Sequence, residues 1–377
     1  REKKTVRFHS PRLSRKNSAH RHKMPLTTLL AVFITAAVYQ FELSNGQQSQ
    51  CLASPPELEF SKNFDLDGNT VQSASLRFSA KRFTSTAHGY PTSFTSRVYN
   101  DMLPGPTIRF QRGQIYHLTF YNDLGAEHPN DRGILNQFHL PNTTNLHTHG
   151  LHISPESPSD DAFLTISPGE HFTYIYYIPC NHNGGTNFYH PHHHGAVAVQ
   201  VGGGAAGALV IEDDDGEMEA LPNWLTSMDE LVLMVQYMDL INLRSWTNLN
   251  YDQLTQIDGN PQSFYLINGK YKPSVCLTVN EWKRLRIVYS DVSYETQIKF
   301  ADSSVCSVRL LAKDGVYLSD VPRVIRSNIL YFTQSSRVDV AIKCNKIGSF
   351  LVTSYDHQNR HNPTNVNAVV IAELRVS

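Results

Sequence analysis

Charged residues are scarce in this chain of 377 residues, and neither sign dominates. Asp, Glu, Lys and Arg together make up 18% of the sequence, and the formal net charge is -1. This balance gives no reason to expect nucleic acid or a strongly acidic substrate as a partner. The hydrophobic share of 40% and the aromatic share of 10% exclude a disordered chain and suit sheet-rich globular domains.

The sequence also lacks a convincing membrane span, which needs about 20 consecutive apolar residues. The apolar run 26–39 is shorter than that, and it follows the basic, polar stretch 1–23. A basic flank before a short apolar stretch is typical of a secretory signal. We therefore predict that 1–54 comprises a basic leader and a signal segment at 26–39, that cleavage falls between Gln40 and Cys51, and that the protein is secreted. If the apolar segment were retained, the protein would instead be membrane-anchored.

Cysteine is infrequent, with five residues in the whole chain: Cys51, Cys180, Cys276, Cys306 and Cys344. This number is compatible with an oxidising compartment and with one or two disulfides, whose pairing does not follow from the sequence. The odd count leaves at least one thiol free or paired outside this sequence. Asn142 opens an Asn-Thr-Thr acceptor sequence and is a predicted glycosylation site if the chain is exported.

Histidine is concentrated in two short stretches, NLHTHG at 145–150 and FYHPHHHG at 188–195. In each stretch one histidine stands two residues from another, and on a β-strand this spacing puts both rings on the same face. Neutral imidazole is a ligand that suits copper, zinc, iron and nickel. The spacing therefore predicts one metal cluster with four nitrogen donors, from His147, His149, His190 and His192.

The two histidine stretches resemble the first two copper motifs of the multicopper oxidases, the family of laccases and ferroxidases. The first match continues through 151–155 and the second through 202–211. The segment 99–108 is similar to the stretch before the family's first motif, and 264–273 is similar to the opening of its second domain. The resemblance covers roughly 55–377. It implies an all-β fold of two consecutive cupredoxin-like Greek-key β-sandwich domains.

Short alternating segments between turn residues favour the same fold class. We place a first domain with the copper motifs at 55–213, an acidic linker at 214–228, and a second domain without a copper motif at 229–377. The strands predicted from the pattern are 76–78, 115–121, 230–237, 285–289, 308–312, 338–342 and 368–376. His357 and His361 lie in a polar stretch without a nearby cysteine and are predicted to be surface residues.

The resemblance implies a role for each matching residue. His147 corresponds to a ligand of the type 2 copper, and His149, His190 and His192 correspond to ligands of the type 3 pair. An acid between the motifs, Asp160 with Asp161 as the rival, corresponds to the group that helps to deliver protons to dioxygen. His193 and His194 are expected near the site. Two alternatives remain open at this point: zinc at the same rings, or histidines on a polar surface without metal.

Part of the family's pattern is missing from this sequence. No cysteine has a histidine on either side, so the type 1 copper that accepts electrons from substrate has no candidate ligand. Four of the eight trinuclear histidines of the family also have no match. Because the sequence begins with Arg1 and ends after the second domain, we expect a truncated record from which the third domain is absent.

The sequence thus predicts a copper-dependent oxidoreductase. The complete protein would oxidise phenols, amines or a metal ion one electron at a time and reduce dioxygen to water. Its partners would be dioxygen, a small reducing substrate, and a third domain or partner subunit that completes the cluster. Two alternatives remain: a copper-binding or sequestering protein without oxidase activity, and a degenerate subunit of a larger oxidase.

Overall fold

The computed structural model describes residues 42–43, 50–85, 87, 91–131, 137–213, 228–249, 252–259, 261–355 and 368–377. The apolar segment 26–39, nearly all of the proposed linker 214–228, and His357 and His361 lie outside the described residues. Among the residues that are described, β-strands greatly outnumber helices, so the predicted all-β fold class is confirmed.

The first sandwich is built from two facing sheets. Its strands are β1 (Glu42–Leu43), β2 (Ser61–Phe64), β3 (Thr70–Ser85), β4 (Thr92–Tyr99), β5 (Ile108–Phe110), β6 (Ile115–Asn122), β7 (His147–His149), β8 (His171–Tyr177), β9 (Gly185–His190), β10 (Gly207–Ile211) and β12 (Ile257–Asp258). Among the described residues, one sheet runs β12-β4-β3-β6-β8, with β1 and β2 also paired to β3. The other sheet runs β5-β10-β9-β7, which leaves β7 at an edge.

Alternation along the strands creates the core of this sandwich. In β6 every second residue is buried, which directs Tyr116, Leu118 and Phe120 inward. They pack with Phe110 of β5 and Tyr189 of β9 from the opposite sheet. Burying one such aromatic or aliphatic side chain contributes about 1.5–3 kcal/mol. The two sheets are therefore held face to face by the aromatic residues of their strands.

The second sandwich is also formed by two facing sheets. Its strands are β11 (Asp229–Met238), β13 (Phe264–Ile267), β14 (Ser274–Leu277), β15 (Lys283–Tyr289), β16 (Thr296–Phe300), β17 (Cys306–Lys313), β18 (Val316–Tyr317), β19 (Arg323–Val324), β20 (Ile329–Phe332), β21 (Arg337–Cys344), β22 (Gly348–Tyr355) and β23 (Ala368–Val376). Within the described ranges, one sheet runs β13-β11-β15-β21-β17-β18 with β19 beside β17, and the other runs β14-β23-β22-β16-β20. A single apolar core lies between them. Every strand predicted from the sequence falls within an observed strand.

The proposed domain division at 214–228 stays a prediction. One element departs from a simple division by sequence, because β12 comes from beyond the proposed linker and pairs with β4 of the first sandwich.

Two short α-helices interrupt the strands of the described chain, α1 (Val197–Gly202) and α2 (Leu240–Leu249). A 3-10 turn spans Arg326–Asn328. No described helix combines the length and the apolar character that a bilayer crossing requires. Helix α1 follows the second histidine stretch directly and returns the chain to β10, which pairs with β9.

Two disulfides connect distant parts of the chain, and the thiol of Cys180 is free and exposed. Cys51 bonds to Cys276, which ties the segment before the first sandwich to β14 of the second. Cys306 bonds to Cys344, directly opposite it on the paired strands β17 and β21. The expectation of one or two disulfides and a free thiol is thus confirmed.

The two sandwiches meet through the four-stranded sheet of the first. Phe188 and Ala208, on β9 and β10, pack against Val232, Met234 and Val288 of the second sandwich. Beside this apolar patch lies a buried ionic network. In it, Asp339 Oδ2 accepts from Nη2 of Arg284 at 2.5 Å and from Nη1 of Arg286 at 3.2 Å. Arg286 also donates to the hydroxyl of Thr186 on β9 at 3.2 Å, so this network crosses the interface.

Replacing Asp339 with Asn should destabilise the protein, because two buried guanidinium groups would lose one of the two buried carboxylates that offset their charge. Breaking a buried ion pair by neutralising one partner typically costs about 3–5 kcal/mol in the free energy of unfolding. Denaturant titration measures this loss. Asp320→Asn is the matched control, because Asp320 pairs with Arg323 on the surface and its loss should leave stability unchanged. Equal stability of the two variants would contradict this account of the network.

Candidate metal centre

The site begins with the pairing of β7 and β9. These strands run antiparallel, with His147 opposite His190 and His149 opposite Phe188. Because side chains alternate along a strand, the three histidines lie on one face of the sheet. Tyr189, between Phe188 and His190, points the other way into the core of the first sandwich. The predicted extended backbone of the first motif is confirmed.

Three of the predicted ligands converge. One ring nitrogen from each of His147, His149 and His190 lies within 4.8 Å of the other two. We call these residues the histidine triad. The closest pair is Nδ1 of His149 and Nε2 of His190, at 3.2 Å. Nδ1 of His190 lies 2.8 Å from the carbonyl oxygen of Pro191 and can donate to it, which leaves Nε2 with its lone pair.

Burial keeps two of the three rings neutral, those of His149 and His190. Burial lowers the pKa of His190 to about 3. Burial also lowers the pKa of His149 to about 4, and the nearby positive charge of Arg337 acts in the same direction. Neutral imidazole is the form that binds metal, so at pH 7 these rings offer lone pairs and need no deprotonation.

His192 lies beside the triad and not within it. Strand β9 ends at His190, because Pro191 has no N–H with which to continue the ladder. The His192 ring centre is 5.1 Å from that of His147 and 6.0 Å from that of His190. The ladder thus ends before His192, and the ring of His192 lies near that of His147. Its role as a ligand stays a prediction.

His193 and His194 point in different directions. His194 is exposed, and its ring packs against Phe163 at 5.7 Å between centres. His193 turns toward His139, with ring centres 6.0 Å apart, and burial lowers the pKa of His193 to about 4. Neither residue is among the described groups whose ligand atoms converge.

The structure separates the two candidate acids. Asp160 accepts a hydrogen bond from the backbone N–H of Thr148 at 2.7 Å, and its other oxygen lies 3.0 Å from Nδ1 of His147. That second contact has the distance of an ion pair but is not aligned as a hydrogen bond. Because this oxygen of Asp160 faces Nδ1 of His147, Nε2 of that ring is left for a metal. Asp161 instead accepts from the N–H of Phe163 and closes its own turn.

Two residues that support the site carried no predicted role. The buried side chain of Asn145 accepts from the N–H of His192 at 2.6 Å and donates to the carbonyl oxygens of Ala162 and Leu164. The ring of Phe188 lies 4.7 Å from that of His149 and 4.9 Å from that of His190. Asn145 lies in the first histidine stretch and Phe188 in the second. Their position in these motifs was the only sequence feature that pointed to a role at the site.

Other polar residues of the first sandwich have structural partners. The ring of His182 accepts from the N–H of His152 at 2.9 Å through Nε2 and lies 2.7 Å from the carbonyl oxygen of Asn183 through Nδ1. Asn142 is buried, and its amide nitrogen donates to the carbonyl oxygen of Gly125 at 2.9 Å. Glycosylation of Asn142 stays a prediction, and it would require this nitrogen to leave its present partner.

A family sequence model, described as multicopper oxidase, matches residues 129–216. This segment contains the triad, Asp160 and all of the second histidine stretch. No curated protein sequence gives a significant match to the chain.

Solved multicopper oxidases have the same fold. A metallo-oxidase from Campylobacter jejuni superposes with a TM-score of 0.59 at 23% identity, over 88% of this chain and 62% of that one. A laccase-like enzyme from Ochrobactrum sp. gives 0.61 at 21% identity, over 86% and 64%. A blue copper oxidase from Nitrosomonas europaea gives 0.57 at 20% identity, over 81% and 85%. The chain thus spans less than two thirds of the length of the first two proteins.

Fold and site together define a protein of cupredoxin-like β-sandwiches with a cluster of histidines on one sheet face. More particularly, residues 129–216 match the multicopper oxidase family model in sequence, and most of the chain has the fold of solved multicopper oxidases. The resemblance inferred from the two histidine stretches is confirmed.

Replacing Gly150 with Ala should disturb the triad. Gly150 follows His149 and has φ of +105°, and a β-carbon there would overlap the Asn187 side-chain oxygen and lie 2.8 Å from Nη2 of Arg337. We expect a loss of about 1–3 kcal/mol from overpacking, in addition to about 1–2 kcal/mol from the left-handed backbone. Denaturant titration gives the free energy of unfolding.

Gly169→Ala is the control for backbone strain. Gly169 has φ of +83°, and a β-carbon there would have open space around it. If the two alanine variants lose the same free energy of unfolding, then Gly150 is not packed as tightly as the structure describes.

Proposed function

We propose that this chain is the copper-binding part of a multicopper oxidase. The complete protein would oxidise a phenol, an amine or a metal ion one electron at a time and reduce dioxygen to water. The observation that carries this proposal is the triad, whose three ring nitrogens lie within 4.8 Å of one another. The match of 129–216 to the multicopper oxidase family supports it.

The residues present fit a copper ion. Three neutral imidazole nitrogens suit copper in either of its common oxidation states, although the same donors also suit zinc. His147, His149 and His190 would hold the metal, and His192 is the candidate ligand for a further ion of a type 2 and type 3 cluster. Bound copper would supply one-electron redox chemistry and a place for dioxygen to bind. Copper is favoured over zinc by the family match.

The protein's own groups would prepare the site for this chemistry. Asp160 lies beside Nδ1 of His147 and holds that ring with Nε2 directed away from the carboxylate. The Phe188 ring covers His149 and His190 from one side and keeps water away from them. Oδ2 of Asp160 is the nearest carboxylate oxygen to His147 among the described ion pairs, and we propose that it holds or passes a proton there.

The remaining ligands, and the type 1 copper that accepts electrons from substrate, would come from elsewhere. We propose that a third domain or a partner subunit supplies them, because no cysteine in this sequence has a neighbouring histidine. Dioxygen and a small reducing substrate would then be the reactants. Secretion is proposed from the basic and apolar leader, and the two disulfides are in keeping with an oxidising compartment.

A second candidate function is copper binding without oxidase activity. It is favoured by one observation: the triad offers three donors to a single ion without any residue from outside this chain. Under this hypothesis the protein sequesters or carries copper.

Metal titration of the full chain tests the shared part of both functions. We expect at least one copper ion to bind per chain. Competition with a chromophoric chelator measures its affinity. His190→Phe should weaken binding by at least about 100-fold, because losing a ligand should cost more than losing a supporting contact. His171→Phe is the control, since His171 is exposed and stacks on Tyr121 away from the triad. Equal affinity in both variants would remove the triad as the site.

Oxygen consumption by the copper-loaded chain then separates the two functions. Consumption with a phenol, an amine or ferrous iron only when a complementing domain or subunit is added would support the oxidase. Copper binding without consumption under every such condition would favour the copper-binding protein.

Asp160→Asn should weaken copper binding by about 10- to 100-fold, the usual effect of losing a group that orients a histidine ligand. The amide would keep an acceptor for Thr148 but would place an N–H donor or a neutral oxygen beside Nδ1 of His147. Turnover, where the complete enzyme is available, should fall further than binding does. Asp161→Asn is the control, because Asp161 only closes its own turn. If the two variants behave alike, Asp160 has no special role.

A further inference from the structure

Arg337, a cation of the second sandwich, lies near the triad. Arg337 is the first residue of β21, and its guanidinium carbon lies 5.9 Å from the centre of the Phe188 ring. Phe188 is the same ring that packs against His149 and His190. Nη2 of Arg337 also lies 2.8 Å from the point where Gly150 would carry a β-carbon. The guanidinium therefore adjoins both the end of β7 and the ring between two ligands.

The charge of Arg337 is buried and only weakly compensated. Its side chain is 7% exposed, and its nearest described carboxylate, on Asp314, is 3.4 Å away and 54% exposed. Its other partners are the carbonyl oxygens of Ser335 at 2.8 Å and of Asp314 at 3.3 Å. Nε of Arg337 has no hydrogen-bond partner among the described residues. This arrangement contrasts with Arg284 and Arg286, which share the buried carboxylates of Asp213 and Asp339.

Asn187 carries another polar atom without a hydrogen-bond partner, near Arg337. The side-chain oxygen of Asn187, on β9, is buried and has no hydrogen-bond partner among the described residues. It also lies close to the point where Gly150 would carry a β-carbon. The absence of a side chain at Gly150 thus allows a donor from one sandwich and an acceptor from the other to approach the residue that follows His149.

We propose that Arg337 is a positioning residue of the metal site, with two effects. Its guanidinium, carried by the second sandwich, fixes the His149 end of β7 through Gly150 and Phe188. Its positive charge disfavours the more highly charged metal ion, so the site prefers Cu(I) over Cu(II). This inference rests on the proposed copper function and extends it to a part of the chain that has no copper motif.

The electrostatic effect follows from Coulomb's law in a partly desolvated region. Each added positive charge at the triad is repelled by the guanidinium, and Cu(II) carries one charge more than Cu(I). At an effective dielectric constant near 20, one charge difference changes a binding ratio by about tenfold at a separation of about 12 Å, and by more at shorter separations.

Three variants of the full chain separate charge from shape. Arg337→Met removes the charge and keeps most of the apolar stem, whereas Arg337→Lys keeps the charge and loses the planar fork. Arg323→Met is the matched control, because Arg323 is an exposed arginine of the same sandwich that pairs with Asp320. Dissociation constants for Cu(I) and for Cu(II) come from competition with chelators selective for each ion.

We expect Arg337→Met to shift the ratio of the two constants toward Cu(II) by at least about tenfold, while Arg337→Lys and Arg323→Met stay within about threefold of the unaltered chain. A ratio that is the same in Arg337→Met and in the unaltered chain would overturn the electrostatic effect.

Crystal structures of the metal-free chain and of Arg337→Met and Arg337→Lys test the positioning effect without copper. We expect Gly150 and the His149 ring to move in Arg337→Met; if they keep their places, Arg337 does not position them. Should Arg337→Met fail to fold, the displacement of His149 in Arg337→Lys decides the same point. If the unaltered chain binds no copper, the proposed function fails on that result, and the metal-free structures still decide whether Arg337 positions His149.

Discussion

The pairing of β7 with β9 is the constraint on which the site depends. Strand β7 is three residues long and lies at a sheet edge, yet its register sets the triad by placing His147 opposite His190. A slip of one residue would turn both of its histidines into the first core and Thr148 outward. Asp160 holds the N–H of Thr148, and so the loop between the two motifs fixes that register as well.

The site also depends on the contact between the sandwiches. His149 and His190 share their sheet face with Phe188, which packs on Val232 and Met234 of the second sandwich. Burial lowers the pKa of His190 to about 3 beside this contact. A site on the free face of an isolated sandwich would be better hydrated, and its imidazoles would compete with protons near neutral pH. The second sandwich thus shapes the surroundings of the histidines that the first sandwich carries.

Much of this could be predicted from the sequence, because period-two spacing is a local signal. This spacing predicted the strand that carries His147 and His149 and the face that the two residues share. It also predicted the positions of the strands in both sandwiches. It did not predict that the strand ends before His192. Pro191 ends the ladder, and the chain then turns toward α1. Arg337 could not be found this way, because it opens an ordinary strand and reaches the triad only through the docking of two sandwiches.

The hydrogen-bonding of the triad argues for a ligand beyond the protein itself. Nδ1 of His149 and Nε2 of His190 face each other at 3.2 Å, so one shared proton can satisfy that pair. Nδ1 of His147 and Nδ1 of His192 are both buried without a hydrogen-bond partner among the described residues. Each unsatisfied buried polar atom costs about 1–3 kcal/mol. Metal ions accept several lone pairs at once, whereas a proton bridges only two, which is why this arrangement fits a metal centre better than a structural hydrogen-bond network.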